Sequence, residues 1–211
     1  MGRKERRLRE QQEIKQSILD AAREIAQAEG WRNVTMRKIA ERIEYSHAAI
    51  YDYFENKDVL LLELVHEGFR LMQVEIEVAL AEAHDPVETL RLIGRGYLTF
   101  AWHYPELYRV MYGLDGVTFT SSRPEEEGEQ VENVVAAAIK SVLESRNWSI
   151  NHLAERVNIL WSAAHGLVTL TMADRIRGGQ TEAMQLLDRA FQESLLAWEH
   201  DPENQVPEAS S

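Results

Sequence analysis

The stretch TMRKIAERIEYSHAAIYDYFENK, residues 35–57, decides how the chain is read. Thr35 and Ser46 both stand where a helix N-cap belongs, because a hydroxyl oxygen accepts from a first-turn amide that has no partner within the helix. After Thr35, Ile39, Ala40 and Ile43 recur at helical spacing, and Ile50 and Phe54 do so after Ser46. The spacing predicts two short amphipathic helices joined by a turn at Glu44-Tyr45. Ile39, Ile43, Ile50 and Phe54 would fasten the pair to an earlier helix, leaving His47, Ala48, Ala49, Tyr51 and Asp52 outside. This is helix-turn-helix patterning, in which the second helix enters a DNA major groove by its N-terminal end. Small residues at that tip permit close approach to base edges, alanine methyls can meet thymine methyls, and His47 can hydrogen-bond a base or a phosphate. The same spacing also fits two short helices of a bundle with Ala and His facing solvent.

Outward from this stretch the period stays helical. Upstream, Ile14, Ile18, Ala21, Ala22 and Ile25 mark one face of a first helix, and Gly30 is a plausible stop. Downstream, Asn56 and Asp58 open a long helix expected over 57–83. Asp85-Pro86-Val87-Glu88 combines a cap, Pro at the first helical position and Glu at the third, which starts a helix reaching about His103. Pro105 begins a short one, 113–124 is irregular, and helices follow near 124–146, 150–175 and 181–199. Alternating β-branched runs are absent. The expectation is an all-α chain of about nine helices. It divides into a basic disordered tail (1–9), a helix-turn-helix domain (10–56), a connecting helix (57–83), a helical C-terminal domain (84–200) and a second disordered tail (201–211).

Composition narrows the function classes. The chain has 211 residues, 45% of them hydrophobic, and a formal net charge of −12. It has no cysteine, hence no disulfide framework and no thiol nucleophile, which fits a reducing cytoplasm. No apolar segment follows the basic N-terminus, so a secretory signal is not expected. The charge-free run Val157 to Ala173 falls short of the roughly 20 residues that span a bilayer, and it contains Asn158, Ser162, His165 and Thr169. It is expected to be a helix buried in protein, with no membrane partner. Charge is uneven: residues 1–60 carry 12 Lys and Arg against 11 Asp and Glu, whereas residues 61–211 carry 11 against 24. An acidic protein must bind a polyanion through a locally basic surface. The candidates are Arg3, Lys4, Arg6, Arg7 and Arg9, with Arg32, Arg37, Lys38 and Lys57. A merely solubilising tail is the other reading of the first five.

The string Gly30-x4-Thr35-x3-Ile39-Ala40 followed by Ser46-x3-Ile50-Tyr51-x-Tyr53-Phe54-x2-Lys57-x2-Leu60 resembles the DNA-binding segment of TetR-family transcriptional regulators over about 45 contiguous residues. One departure is Glu44, at a turn position where the family usually has Gly. A side chain held at positive φ costs about 1 kcal/mol, so a slightly reshaped turn is expected. The resemblance implies that Thr35, Arg37, Tyr51, Tyr53 and Lys57 hold phosphates and that Ser46, His47, Ala48 and Ala49 lie at the DNA, the last three facing bases. A half-buried Tyr51 is the alternative. Trp161-x3-His165-Gly166-Leu167, together with Phe100-Ala101 and Pro105-Glu106-Leu107-Tyr108-Arg109-x-Met111, is similar to a TetR C-terminal domain named for its Trp-His-Gly motif. There the last two long helices pair into a four-helix dimer interface, here 150–175 and 181–199.

The resemblance therefore implies a homodimeric regulator on a near-palindromic double-stranded DNA operator, a repressor released by a small apolar or aromatic effector, with no cofactor. Candidate lining residues for the effector are Trp102, His103, Tyr108, Met111, Phe119, Trp161 and His165, each of which fits a hydrophobic core as well as a pocket. The rival class is a metal-binding or enzymatic bundle, since Glu63-x2-His66 has half of a di-iron pattern. The other Glu-x2-His of the chain, Glu44-x2-His47, runs across the expected turn rather than along one helix, and no P-loop, Gly-x-Ser-x-Gly or dinucleotide fingerprint occurs.

Overall fold

Each helix-start signal noted above is used. Thr35 Oγ1 accepts from the Lys38 amide at 3.2 Å, and Ser46 Oγ accepts from the Ala49 amide at 3.1 Å. Asn56 Oδ1 accepts from Val59 N–H at 3.0 Å, while Asp85 Oδ1 takes both Val87 and Glu88 amides at 2.8 and 2.9 Å. Gly30 closes the first helix at φ 82°. The computed structural model describes residues 2–117 and 125–202. Among these residues the chain is all α, with no strand. The helices are α1 (Arg3–Glu29), α2 (Met36–Arg42), α3 (His47–Tyr51), α4 (Lys57–Leu80), α5 (Pro86–His103), α6 (Pro105–Met111), α7 (Glu125–Ser145), α8 (Leu153–Met172) and α9 (Gly179–Glu199). Short 3-10 turns lie at Trp31–Asn33 and Leu114–Gly116. Phe119 and residues 203–211 of the C-terminal tail lie outside the described residues.

Two expected bounds need correction. Residues 3–9, read as a disordered tail, form the first two turns of α1. Their Arg, Lys, Glu and Leu are good helix formers, and Glu5 reaches back to the Gly2 amide at 3.0 Å. The apolar stripe could not reveal this, because it begins only at Ile14. The second short helix stops at Tyr51 rather than continuing to Phe54.

The chain forms two compact units, residues 1–68 with 104–125 and residues 69–103 with 126–211. The division falls inside α4, between residues 68 and 69, and α6 belongs with the helix-turn-helix. In the first unit, Ile18, Ala22, Ile25, Trp31, Ile39, Ile50, Phe54, Leu60, Leu64, Leu107 and Tyr108 are at most 1% exposed. Burying that much apolar surface, at roughly 25 cal/mol per Å², is what holds three short helices that could not persist alone. Trp31 Nε1 donates to the Glu106 carbonyl at 2.8 Å, and the buried Glu106 carboxylate accepts from Arg23, which also pairs with Glu67 at 2.8 Å. In the second unit, Leu98, Phe100, Ile139, Leu143, Val168 and Leu187 form the dry centre. Here α5 crosses α4 closely: a Cβ on Gly96 would stand 2.8 Å from the Ile76 Cα.

Candidate nucleic-acid interface

The turn between α2 and α3 sets the geometry of the first unit's exposed edge. Glu44 adopts φ 58°, so the turn keeps its left-handed residue despite the side chain, and the expected reshaping is not needed. The Glu44 amide bonds to the Glu41 carbonyl at 3.4 Å and the Tyr45 amide to the Ala40 carbonyl at 2.9 Å. This is a Schellman closure, which satisfies the last carbonyls of α2 and aims the chain into α3.

On α3, Ile50 is fully buried whereas Ser46, His47 and Ala48 are exposed and Ala49 is half-buried. The helix thus presents its N-terminal tip to solvent and is anchored in the core by Ile50. His47 and Tyr51 stack edge to face with centroids 5.1 Å apart, and Tyr51 is 45% exposed, against the half-buried alternative. Tyr53 is half-buried and Tyr45, at the turn, is 44% exposed. Because Thr35 and Ser46 use their oxygen lone pairs as caps, each keeps an O–H able to donate to an anion.

The cations of this edge are more constrained than the sequence suggests. Lys57 Nζ donates to the Trp31 carbonyl at 3.1 Å, and burial pushes its pKa down. Arg37 pairs with Glu41 at 2.8 Å, and the hydrogen bond from Arg37 to that carboxylate raises its pKa. Lys38 pairs with Glu29 at 2.6 Å, and Arg32 Nε donates to the Asp115 carbonyl at 3.1 Å.

Six of the seven residues considered for an effector pocket are described, and they are divided between the two units. Tyr108 and Met111 are core residues of the first unit, Met111 packing on Gly68. Trp102, His103, Trp161 and His165 belong to the second, and Phe119 is not described. His103 is exposed and pairs with Glu75 at 2.8 Å. Tyr97 Oη lies 3.4 Å from both His165 Nδ1 and Trp161 Nε1, and burial holds the His165 pKa below its ordinary value. The second unit has instead a cavity of about 130 Å³ lined by Phe69, Arg70, Gln73, Ile76, Glu77, Leu80, Gln130, Val131 and Val134. None of these residues was singled out from sequence. The signal available was the α4 series Phe69, Gln73, Ile76, Leu80, a second helical stripe.

Helix α8 is buried on one side only: Val157, Leu160, Ala164 and Val168 face inward, whereas Ile159, Trp161 and Leu170 are 60%, 47% and 48% exposed. A Cβ on Gly166 would meet nothing within 4 Å. Glu63, half of the di-iron pattern, is engaged by Lys15 at 3.0 Å. Among the described residues no three His, Asp or Glu side chains are grouped as metal ligands, and no helix is long and apolar enough to cross a membrane.

Two family models match the chain: bacterial regulatory proteins of the tetR family over residues 18–64, and the tetracyclin repressor-like C-terminal domain over residues 90–194. The nucleoid occlusion factor SlmA of Vibrio vulnificus (strain YJ016) is 29% identical over 136 residues, which is 63% of this chain and 67% of that protein. A solved structure of a protein with unknown function from Rhodococcus sp. RHA1 superimposes with a TM-score of 0.74 at 20% identity, covering 86% of this chain and 94% of that one. The TetR family transcriptional regulator PfmR from Thermus thermophilus does so with a TM-score of 0.65 at 19% identity, covering 83% and 97%. At these identities the structural likeness concerns the fold.

Proposed function

The chain belongs to the TetR family of bacterial regulatory proteins and is a DNA-binding transcriptional regulator; from that premise we propose that it is a homodimeric repressor released from its operator by a small apolar ligand. The observation that carries the DNA-reading part is the exposed tip of α3, where His47 and Ala48 face solvent while Ile50 anchors the helix. Bases are read by His47, Ala48 and Ala49. Phosphates are held by the hydroxyls of Thr35, Ser46, Tyr51 and Tyr53 and by Arg37 and Lys57, although a phosphate must compete with Glu41 for Arg37.

The dimer is supported by the apolar face of α8, where Ile159, Trp161 and Leu170 stay about half exposed and Gly166 leaves room for close helix approach. Helix α9 adds Leu196, 56% exposed. Two recognition helices would then enter successive major grooves about 34–36 Å apart, on a near-palindromic site. The effector reading is supported by the cavity against α4, whose first turns belong to the helix-turn-helix unit. A ligand there biases α4 between two arrangements, a coupling of about 1–3 kcal/mol.

The experiment is selection of duplexes from a randomised library by wild-type protein and by His47→Ala. The variant is expected to relax preference at particular base pairs, each worth about 1–3 kcal/mol, with a smaller change in overall affinity. A uniform loss across all sequences removes His47 from base reading.

A further inference from the structure

The charge on the helix-turn-helix edge is mostly spoken for, yet the chain carries −12 overall and still has to approach a polyanion. Within the first unit, Arg37, Lys38 and Arg42 pair with carboxylates, Lys15 with Glu63 and Arg109 with Asp115, while Lys57 and Arg32 bond to backbone carbonyls. Arg23 lies in its buried pairing with Glu67 and Glu106. In the first two turns of α1, Arg6 pairs with Glu10. Arg3, Lys4 and Arg7 have no partner among the described residues, and all three are exposed.

These three cations stand on an extension of α1 that touches no core. Residues 3–13 are exposed throughout, and burial begins only at Ile14 and Ile18. Arg3 and Arg7 continue in register the stripe that becomes Ile14, Ile18, Ala21 and Ile25, so they leave the helix on the side it turns toward the helix-turn-helix. Lys4 lies on the adjacent row with Leu8, Gln11 and Lys15, and the Lys15 ammonium stands 5.7 Å from the Phe54 ring at the end of the recognition segment. At 1.5 Å per residue, Lys4 is roughly 16 Å further along the axis than Lys15. That exceeds the roughly 12 Å width of a major groove. A reach of that length can carry the extension to phosphates outside a groove entered by α3.

We propose that the N-terminal extension of α1 is a second DNA contact, in which Arg3, Lys4 and Arg7 bind backbone phosphates flanking the recognition site and supply sequence-independent affinity. The proposal rests on the first unit being the DNA-binding unit. It assigns the polyelectrolyte attraction to the extension and the sequence reading to α3.

The test is the triple variant Arg3→Ala, Lys4→Ala, Arg7→Ala, in which alanine preserves helix propensity and no core residue changes. Affinity is measured from 50 to 300 mM KCl on a duplex selected by the wild type and on a scrambled duplex. Loss of three phosphate contacts in each subunit is expected to flatten the log affinity against log salt slope by about 2.7 per subunit, about 5.4 for a bound dimer. Both duplexes should weaken by a similar factor, and their affinity ratio should hold. The charge-conserving variant Arg3→Lys, Lys4→Arg, Arg7→Lys should keep the wild-type slope. An unchanged slope in the alanine variant overturns the proposal, as does binding of the wild type to phosphatidylglycerol vesicles through these residues with no effect on DNA. A wild type that binds duplexes but selects no sequence overturns the base-reading role of α3 and leaves the slope comparison intact.

Discussion

At Glu44 a side chain occupies a backbone region that costs an L-residue about 1 kcal/mol or more, and two closing hydrogen bonds keep it there. Glu44→Gly removes the Cβ conflict, while glycine's added freedom in the unfolded chain takes part of the gain back. The expected result is a stabilisation of roughly 0.5–1 kcal/mol, read by chemical denaturation without DNA. A destabilised variant would mean that the Glu44 side chain makes up for its backbone. His165 supplies a second residue-scale test. Its folded pKa lies below the ordinary value of 6.5 because burial disfavours the imidazolium. As pH falls through 6.5 the unfolded chain takes up this proton before the folded one, so stability drops on the acid side and levels off below the folded pKa. Between pH 8 and 5 the wild type should lose more stability than His165→Gln. Equal losses would assign the acid sensitivity elsewhere.

Among the elements, the crossing of α4 and α5 at Gly96 is the least forgiving, since the nearest atoms belong to the Glu75 and Ile76 backbone and cannot rotate away. Gly96→Ala gains about 1 kcal/mol in helix propensity but meets an overpacking cost of about 1–3 kcal/mol. A net loss of roughly 1 kcal/mol is expected, measured as a lower denaturation midpoint, and a stabilised variant would show that the helices can separate. How well each element could be read from sequence followed the range of its cause. Thr35, Ser46, Asn56 and Asp85 cap through bonds two or three residues away, so their helix starts were legible. The exposed tip of α3 was legible too, because a five-residue helix with Ile50 buried has only one way to face. The first two turns of α1 were not, since the exposed Leu8 is their one apolar residue. For Tyr108 and Met111 the sequence left core and pocket open, because burial is set by parts far away in the chain, as where Met111 packs on Gly68. The α4 cavity was hidden for the same reason: Phe69 and Ile76 line a space only once Val131 and Val134 of α7 close it.

For the whole molecule the decisive question is what covers α8. Leu170→Glu places a carboxylate on the exposed apolar side of the helix, where the protomer itself offers little to disturb. Sedimentation should then show monomers where the wild type shows dimers, with helical content retained. Persisting dimers would move the interface off this face. A monomeric variant should also lose most affinity for a palindromic duplex while keeping that for a half-site, since each subunit carries one α3.

The assignment of α6 to the first unit bears on how the protein can be dissected. Leu107 and Tyr108 are fully buried there, and the Glu106 carbonyl receives the Trp31 indole. A fragment that ends after Gly68 would lack those plugs and leave a donor and several apolar rings facing water. The reading head is thus stitched from two separated lengths of polypeptide. Any minimal version has to carry the later segment along, by a linker or a circular permutation, before it can stand alone.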